Sequence, residues 1–390
     1  MNAPYSINLT SIRQHLHAYP ELGLEEVKTA KFLSDLLQSW GLEVTGNIGG
    51  TGIVASLRRG KSNQAIGLRA DMDGLPICES ALCESAQHAY TSRHKGCMHA
   101  CGHDGHMTML LGAAHAMAND PDFKNSGFNG TVHFIFQPAE ENFGGARLMI
   151  EEGLFDRFPC DYVFALHNMP GIPLGQFTSR DGAMMASIDV AGIKVIGKGG
   201  HGAQPEKTID PIVIGSQIVT AFQTVVSRNI NQFEPGVVTV GSFHSGSASN
   251  IIPEYALLEI SLRATDPVTR TLMIKRIEAL ASSIATGFGG SVEFDWQAGY
   301  PVTMNNSKAL KIARKAAENA FGPDSFELAK NPWMGSEDFS FMLEKVPGAF
   351  LFIGNGDSAP AHNSAYDFND KVIPFGVKFY QSLVHTIFNE

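Results

Sequence analysis

The sequence lacks long apolar runs: none approaches the roughly 20 residues needed to span a bilayer. Its N-terminus also lacks a basic start followed by an apolar segment, which is the pattern of a signal peptide. Positive charge is in deficit, with 29 Lys and Arg against 39 Asp and Glu and a formal net charge of −10. Neither nucleic acid nor a membrane is therefore expected as a partner, because both are bound by basic surfaces.

Cysteine is scarce and odd in number, with five residues in 390: Cys78, Cys83, Cys97, Cys101 and Cys160. This count does not favour a disulfide scaffold and indicates a reducing compartment, so we expect a cytoplasmic protein. The chain is also too long for one compact core, which predicts two domains.

The order of predicted strands and helices divides the chain into two styles. Residues 1–180 and 299–390 alternate apolar strands with helices, which predicts a mostly parallel α/β sheet covered on both faces. Residues 181–298 instead follow a β-α-β-β-α-β order, the ferredoxin-like arrangement. The predicted architecture is a discontinuous α/β domain with a smaller α+β domain inserted into it.

Potential metal ligands follow most of the predicted strands of the α/β part. Open α/β sheets bind ligands beyond the carboxyl ends of their strands, so these side chains are expected to meet in one crevice. They are Asp71, Cys101, His103, Glu140, Glu141, His167 and His362.

The segment QPAEE places Glu140 and Glu141 directly after a predicted strand. Adjacent carboxylates repel each other, and burying either one alone is costly. We interpret Glu141 as a metal ligand and Glu140 as a general base acting on water. The alternative is a solvated acidic loop, since Glu is mostly exposed in proteins.

The segment ACGH offers a thiol at Cys101 and an imidazole at His103. A spacing of two does not share a helix face, so both are expected in the loop before the helix at 103–118, with Gly102 allowing the turn. The helix N-terminus is expected to lower the thiol pKa and favour a thiolate. Such ligands suit Zn, Mn, Co or Ni. A nucleophilic Cys101 paired with His103 is the alternative.

His167 and His362 each have a simpler interpretation as structural or solvated histidines. Asp71 is interpreted as a carboxylate that orients a ligating histidine, and alternatively as a turn residue at a strand end.

Six motifs that occur in order resemble one family. They are RADMDGLP, MHACGHDGH, QPAEE, GKGGHGAQP, SASNIIP and MGSEDFS. Together they look like the M20 metallopeptidases, in the branch of aminoacylases, hippurate hydrolases and auxin-conjugate amidohydrolases. The resemblance implies two divalent metals, bound by Cys101, His103, Glu141, His167 and His362, and a general base at Glu140. Many members carry His-x-Asp where this chain has Arg69-Ala70-Asp71.

The resemblance also implies roles for the inserted domain. His201 matches a histidine that stabilises the oxyanion, and Asn250 and Arg263 match positions that bind the substrate carboxylate. A homodimer or higher homo-oligomer through this domain is implied as well, with the domain serving as lid and dimerisation unit. The implied reaction is hydrolysis of N-acetyl or N-benzoyl amino acids. A dipeptidase or carboxypeptidase on the same scaffold, or a binding protein without activity, are the alternatives.

Overall fold

The structure is a computed structural model that describes residues 7–79, 89–121, 123, 128–142 and 144–389. The chain divides into two compact units. The first unit consists of Met1–Gly182, Met304–Asn331 and Asp338–Glu390, and the second of Ala183–Thr303 and Pro332–Glu337. Nothing in the sequence pattern separates Pro332–Glu337 from the α/β residues around it.

The strands, in chain order, are β1 (Glu43–Ile48), β2 (Gly52–Arg59), β3 (Ala65–Asp71), β4 (Gly130–Gln137), β5 (Tyr162–Pro170), β6 (Phe177–Ser179), β7 (Gly182–Met185), β8 (Ser187–Ile196), β9 (Gly200–His201), β10 (Gly236–Ser245), β11 (Ile251–Ile252), β12 (Tyr255–Ala264), β13 (Ser291–Tyr300), β14 (Thr303–Asn305), β15 (Phe326–Leu328) and β16 (Gly348–Gly356). The helices are α1 (Leu9–Ala18), α2 (Val27–Ser39), α3 (His103–Asn119), α4 (Gly145–Glu151), α5 (Leu154–Arg157), α6 (Pro211–Asn229), α7 (Pro267–Gly287), α8 (Ser307–Phe321), α9 (Phe339–Leu343) and α10 (Ile373–Asn389). The sequence pattern did not predict α1 or β1.

The described part of the first unit contains an eight-stranded sheet in the order β1-β2-β4-β3-β5-β16-β6-β15. Its centre, β4-β3-β5-β16, is parallel, whereas β1–β2, β2–β4 and β16–β6 pair antiparallel. Every residue of β3 is buried, so both faces of the sheet are covered there. The predicted mostly parallel α/β sheet is confirmed.

The helix that follows the first metal-ligand motif, α3, is buried along most of its length. Its sequence, HDGHMTMLLGAAHAMAN, is apolar around most of its circumference, as expected for a helix enclosed by other elements. It packs against β3, β5 and α10. This packing fixes the N-terminus of α3, and therefore His103, relative to the parallel strands.

The second unit contains the antiparallel sheet β10-β12-β8-β13, connected in β-α-β-β-α-β order. Buried and exposed residues alternate along β12, and α6 and α7 pack on the sheet. The side chains of Asp210 and Asp266 cap these helices, each followed by Pro at the first helical position. The predicted ferredoxin-like arrangement is therefore present in this unit.

The sequence predicted neither a disulfide scaffold nor a membrane-spanning segment. Within the described ranges, Cys78, Cys97, Cys101 and Cys160 are free thiols, while Cys83 lies outside those ranges. No helix in the described part of the chain is both long enough and apolar enough to cross a membrane.

Candidate metal centre

The predicted ligands of the first unit come together in space. Asp71 ends β3, Glu140 and Glu141 follow β4, and His362 follows β16. His167 differs from the expectation, because it lies within β5 rather than beyond its end.

Potential ligand atoms form overlapping sets whose members lie within 4.8 Å of one another. The sets are Cys101–His103–His167, Cys101–Glu141–His362, His103–Glu140–Glu141 and Asp71–His103–His106. Because the first three sets share members, the five predicted ligands and Glu140 form one continuous cluster. Residues that are adjacent in the sequence could not form this cluster by themselves, so the fold must bring distant segments together.

Gly102 determines how Cys101 and His103 present their side chains. It is the N-cap of α3 with φ of 93°, and a Cβ there would collide with Oδ1 of Asn168. Only glycine meets both conditions without strain. His103 is the first residue of α3, so the expectation that both ligands precede the helix holds only for Cys101.

Asp73, which the sequence analysis did not select, orients His103. Its Oδ1 lies 3.2 Å from Nδ1 of His103, and its Oδ2 accepts the backbone N–H of Glu141 at 3.0 Å. A carboxylate that holds one ring nitrogen directs the other towards a metal. Its position two residues after Asp71, on the same side of an extended chain, was the available signal.

The other ring nitrogen of His103 fits a cation. Within the described residues, the buried Nε2 of His103 has no hydrogen-bond partner. It lies 3.8 Å from Oδ2 of Asp71 and 3.9 Å from Oε1 of Glu141. Burial opposes protonation of His103, but Asp71 and Asp73 raise its pKa well above the usual value. Acidic surroundings that favour positive charge here would also favour a bound metal cation.

The expected lowering of the Cys101 pKa is wrong. Burial, followed by the charge of Glu141, raises the pKa of this thiol despite its position next to α3. Sγ lies 3.4 Å from Nε2 of His167, whose pKa burial and His106 lower well below the usual range. A thiolate at Cys101 therefore requires a nearby cation, which a ligated metal would provide.

His362 approaches the cluster from a strained loop. Its φ is +63°, and its backbone N–H donates to the carbonyl of Ala100 at 2.8 Å. Nε2 lies 3.2 Å from Oε1 of Glu141. The contacts with Cys101 and then Glu141 raise the pKa of His362 to about 10.

Asp71 belongs to a buried network instead of contacting Nδ1 of His103. Its Oδ2 accepts from Arg69 at 2.7 Å, and its Oδ1 lies 2.6 Å from Nδ1 of His106. Burial would raise the pKa of Asp71, but His103, then Arg69, hold it well below the usual range. Arg69 also donates to Asp338 at 3.1 Å. Since a guanidinium offers no lone pair, Arg69 cannot replace the histidine of the His-x-Asp pattern as a ligand.

In the second unit, His201 ends β9, Asn250 directly precedes β11, and Arg263 lies on β12. The backbone N–H of Gly202 donates to the carbonyl of Asn250 at 2.8 Å, and Ile251 pairs with His201, so the His201 and Asn250 segments are adjacent. Nδ1 of the exposed His201 accepts the N–H of Ala203 at 3.1 Å.

Arg263 lies on β12 and is half-buried, and burial lowers its pKa. Its Nη1 donates to the carbonyl of Met334 at 2.9 Å and to Oγ of Ser336 at 3.0 Å. The segment Pro332–Glu337, which belongs to this unit, thus fixes the guanidinium.

The fold and the site define a class: an α/β protein carrying a ferredoxin-like unit and a cluster of side chains suited to divalent metals. The family model "Peptidase family M20/M25/M40" matches residues 67–386. The chain belongs to this family, which confirms the resemblance seen in the sequence motifs.

Relatives match over nearly the whole chain. The hippurate hydrolase of Campylobacter jejuni is 44% identical over 372 residues, covering 95% of this chain and 94% of the relative. The N-acetyl-L-cysteine deacetylase of Bacillus subtilis is 36% identical, covering 94% and 84%. Among solved structures, the Bacillus subtilis YXEP protein, described as a dinuclear metal binding peptidase from the M20 family, superimposes with a TM-score of 0.83 at 29% identity, covering 98% of each chain.

Proposed function

We propose that the protein is a metal-dependent amidohydrolase that cleaves N-acyl amino acids, with N-acetyl and N-benzoyl compounds as the first candidates. The observation that carries the proposal is the cluster formed by Cys101, His103, Glu141, His167 and His362 beside Glu140. The hippurate hydrolase and the N-acetyl-L-cysteine deacetylase, both similar along their length, support this substrate class.

The five clustered side chains are proposed to hold two divalent ions. The thiolate, imidazole and carboxylate donors of these side chains suit Zn, Mn, Co or Ni. Such ions, when bound, polarise a carbonyl and lower the pKa of water towards ~7. The first unit would then be the catalytic domain, and the second the lid and dimerisation domain. Homodimerisation and a cytoplasmic location are further parts of the proposal.

Glu140 is proposed as the general base. Its carboxylate is buried and lies within the same ligand-distance set as His103 and Glu141. It would take a proton from the attacking water and deliver it to the departing amine nitrogen. A positioned base of this kind typically contributes about 10²–10⁴-fold to the rate.

His201 is proposed to donate a hydrogen bond to the developing oxyanion. Because Nδ1 accepts the N–H of Ala203, the neutral ring carries its proton on Nε2. The Nε2–H group is then an exposed hydrogen-bond donor, and the imidazole does not need to be charged in order to donate.

Arg263 and Asn250 are proposed to bind the free α-carboxylate of the substrate. Within the described residues, no carboxylate lies at ion-pair distance from Arg263, and Met334 and Ser336 occupy only its Nη1. The remaining donors of the planar fork suit a carboxylate. This recognition explains why an amino acid, rather than a simple amine, would be released.

The proposal is tested by a hydrolysis screen. The chelator-treated protein is reloaded with each metal and supplied with N-acetyl amino acids, N-benzoyl amino acids and dipeptides. We expect metal-dependent release of free amino acid, with the N-acyl compounds preferred. Preference for dipeptides would support the dipeptidase or carboxypeptidase alternative. Protein purified without metal and inactive after reloading would support a binding protein.

A further inference from the structure

Glu26 is a buried carboxylate for which the proposed reaction has no role. It precedes α2, and its relative exposure is 0%. Among the described residues, no Lys, Arg or His lies within ion-pair distance of it. Burial raises its pKa to about 7, which reflects the cost of placing an acid there. A buried acid without a cation is expensive, so its hydrogen bonds indicate what it does.

Both oxygens of Glu26 hold loops of the first unit. Oε2 accepts the hydroxyl of Thr51 at 2.5 Å, in the turn between β1 and β2. Oε1 accepts the backbone N–H of Ala139 at 2.8 Å. Ala139 is the residue directly before Glu140.

Ala139 adopts a conformation that needs support. Its φ is +52°, in the left-handed region that is unfavourable for a residue with a Cβ. Its carbonyl accepts the N–H of Gly145 at 3.1 Å, so Glu26 and Gly145 hold its two peptide groups. The direction in which the chain leaves Ala139 determines where the Glu140 carboxylate lies.

We infer that Glu26 is a positioning residue: it holds the peptide between Pro138 and Ala139, and the fixed Ala139 in turn aims the general base Glu140. The inference rests on the proposed function, because it assigns Glu26 an effect on turnover through Glu140. It predicts that loss of the Oε1 contact lowers kcat much more than it changes KM.

Three substitutions separate the hydrogen bond from the charge and from folding. Glu26→Gln keeps a carbonyl oxygen for the Ala139 N–H. Glu26→Asp keeps the charge but withdraws the oxygen by about one bond length. Glu26→Ala removes the acceptor. The control is Glu152→Ala. It removes a different carboxylate, whose Oε2 accepts the backbone N–H of Gly49 at 2.8 Å.

Hydrogen exchange of the Ala139 amide and steady-state kinetics are then measured on the metal-loaded proteins. We expect faster exchange in Glu26→Asp and Glu26→Ala, with kcat reduced about a hundredfold, as for a catalytic group misplaced by about 1 Å. KM should change far less. Glu26→Gln and Glu152→Ala should retain slow exchange and near-normal kcat.

Wild-type kcat in a folded Glu26→Asp variant, or unchanged exchange of Ala139, would overturn the inference. If Glu26→Ala does not fold, Glu26→Asp decides alone. A wild-type protein that hydrolyses no N-acyl amino acid would instead refute the proposed function, while the exchange rates would still decide whether Glu26 holds Ala139.

Discussion

Oε1 of Glu141 lies 3.2 Å from Nε2 of His362, although their loops follow β4 and β16, which are separated in the sheet by β3 and β5. The contact therefore spans two intervening strands at the carboxyl edge of the parallel core. Only the folded sheet brings these side chains together, as expected for ligand sites in open α/β folds.

Glu140→Gln should keep its metal and lose turnover. The amide retains the shape of the side chain but cannot take a proton from water, so kcat is expected to fall by about 10²–10⁴-fold. Metal analysis and steady-state kinetics check both parts. The control is Glu344→Gln, an exposed glutamate after α9, which should behave as wild type. Near-normal kcat in Glu140→Gln would remove Glu140 from its proposed role.

His201→Ala should leave the fold and the metal content unchanged, because His201 is exposed. Loss of one oxyanion donor is expected to lower kcat by about 10²–10³-fold. His244→Ala is the matched control, since His244 is also an exposed histidine of the second unit. Equal rates for the two variants would contradict an oxyanion role for His201.

Arg69→Met should destabilise the first unit strongly. The substitution leaves the buried carboxylates of Asp71 and Asp338 without their shared cation, an effect of roughly 3–5 kcal/mol. Lys31→Met breaks an exposed pair with Asp35 and should cost less than about 1 kcal/mol. Urea unfolding compares the two variants. Similar midpoints would show that the Arg69 network contributes little to stability.

His133 should make stability depend on pH below neutrality. Burial lowers its pKa to about 4 from an ordinary value of 6.5, and it contacts Ser56 as a neutral ring. As pH falls through 6.5, the unfolded chain takes up the proton first, so stability present above pH 6.5 is progressively lost down to pH 4.

Replacement of His133 isolates this effect. Between pH 7.5 and pH 5, wild-type protein should lose about 2 kcal/mol more unfolding free energy than His133→Gln. Urea titrations at both pH values give the difference. Parallel pH profiles for the two proteins would mean that His133 is not held neutral in the folded state.

The fold was predictable because its signals are local. Apolar strands such as β3 and the apolar helix α3 can be identified from a few neighbouring residues, and their alternation specifies a parallel sheet. The convergence of Glu141 and His362 then follows from the rule that parallel strands end at one edge.

Contacts that depend on side-chain direction were not predictable. Asp71 ends β3 and Asp73 follows it, and only the structure assigns Asp73 to His103 and Asp71 to Arg69 and His106. The prediction of a lowered pKa for Cys101 was wrong, because burial raises the pKa more than the helix N-terminus lowers it. Burial of a thiol cannot be deduced from its neighbours in sequence.

The most direct measurement is the number and position of metal ions, by elemental analysis and anomalous diffraction from crystals of metal-loaded protein. We expect two ions per chain. Cys101, His103, Glu141, His167 and His362 should share the two ions between them, with metal–donor distances of about 2.0–2.3 Å. Glu141→Ala should lose at least one ion, while the exposed control Glu151→Ala keeps both. Ions bound elsewhere, or none at these five residues, would contradict the metal centre and the amidohydrolase proposal with it.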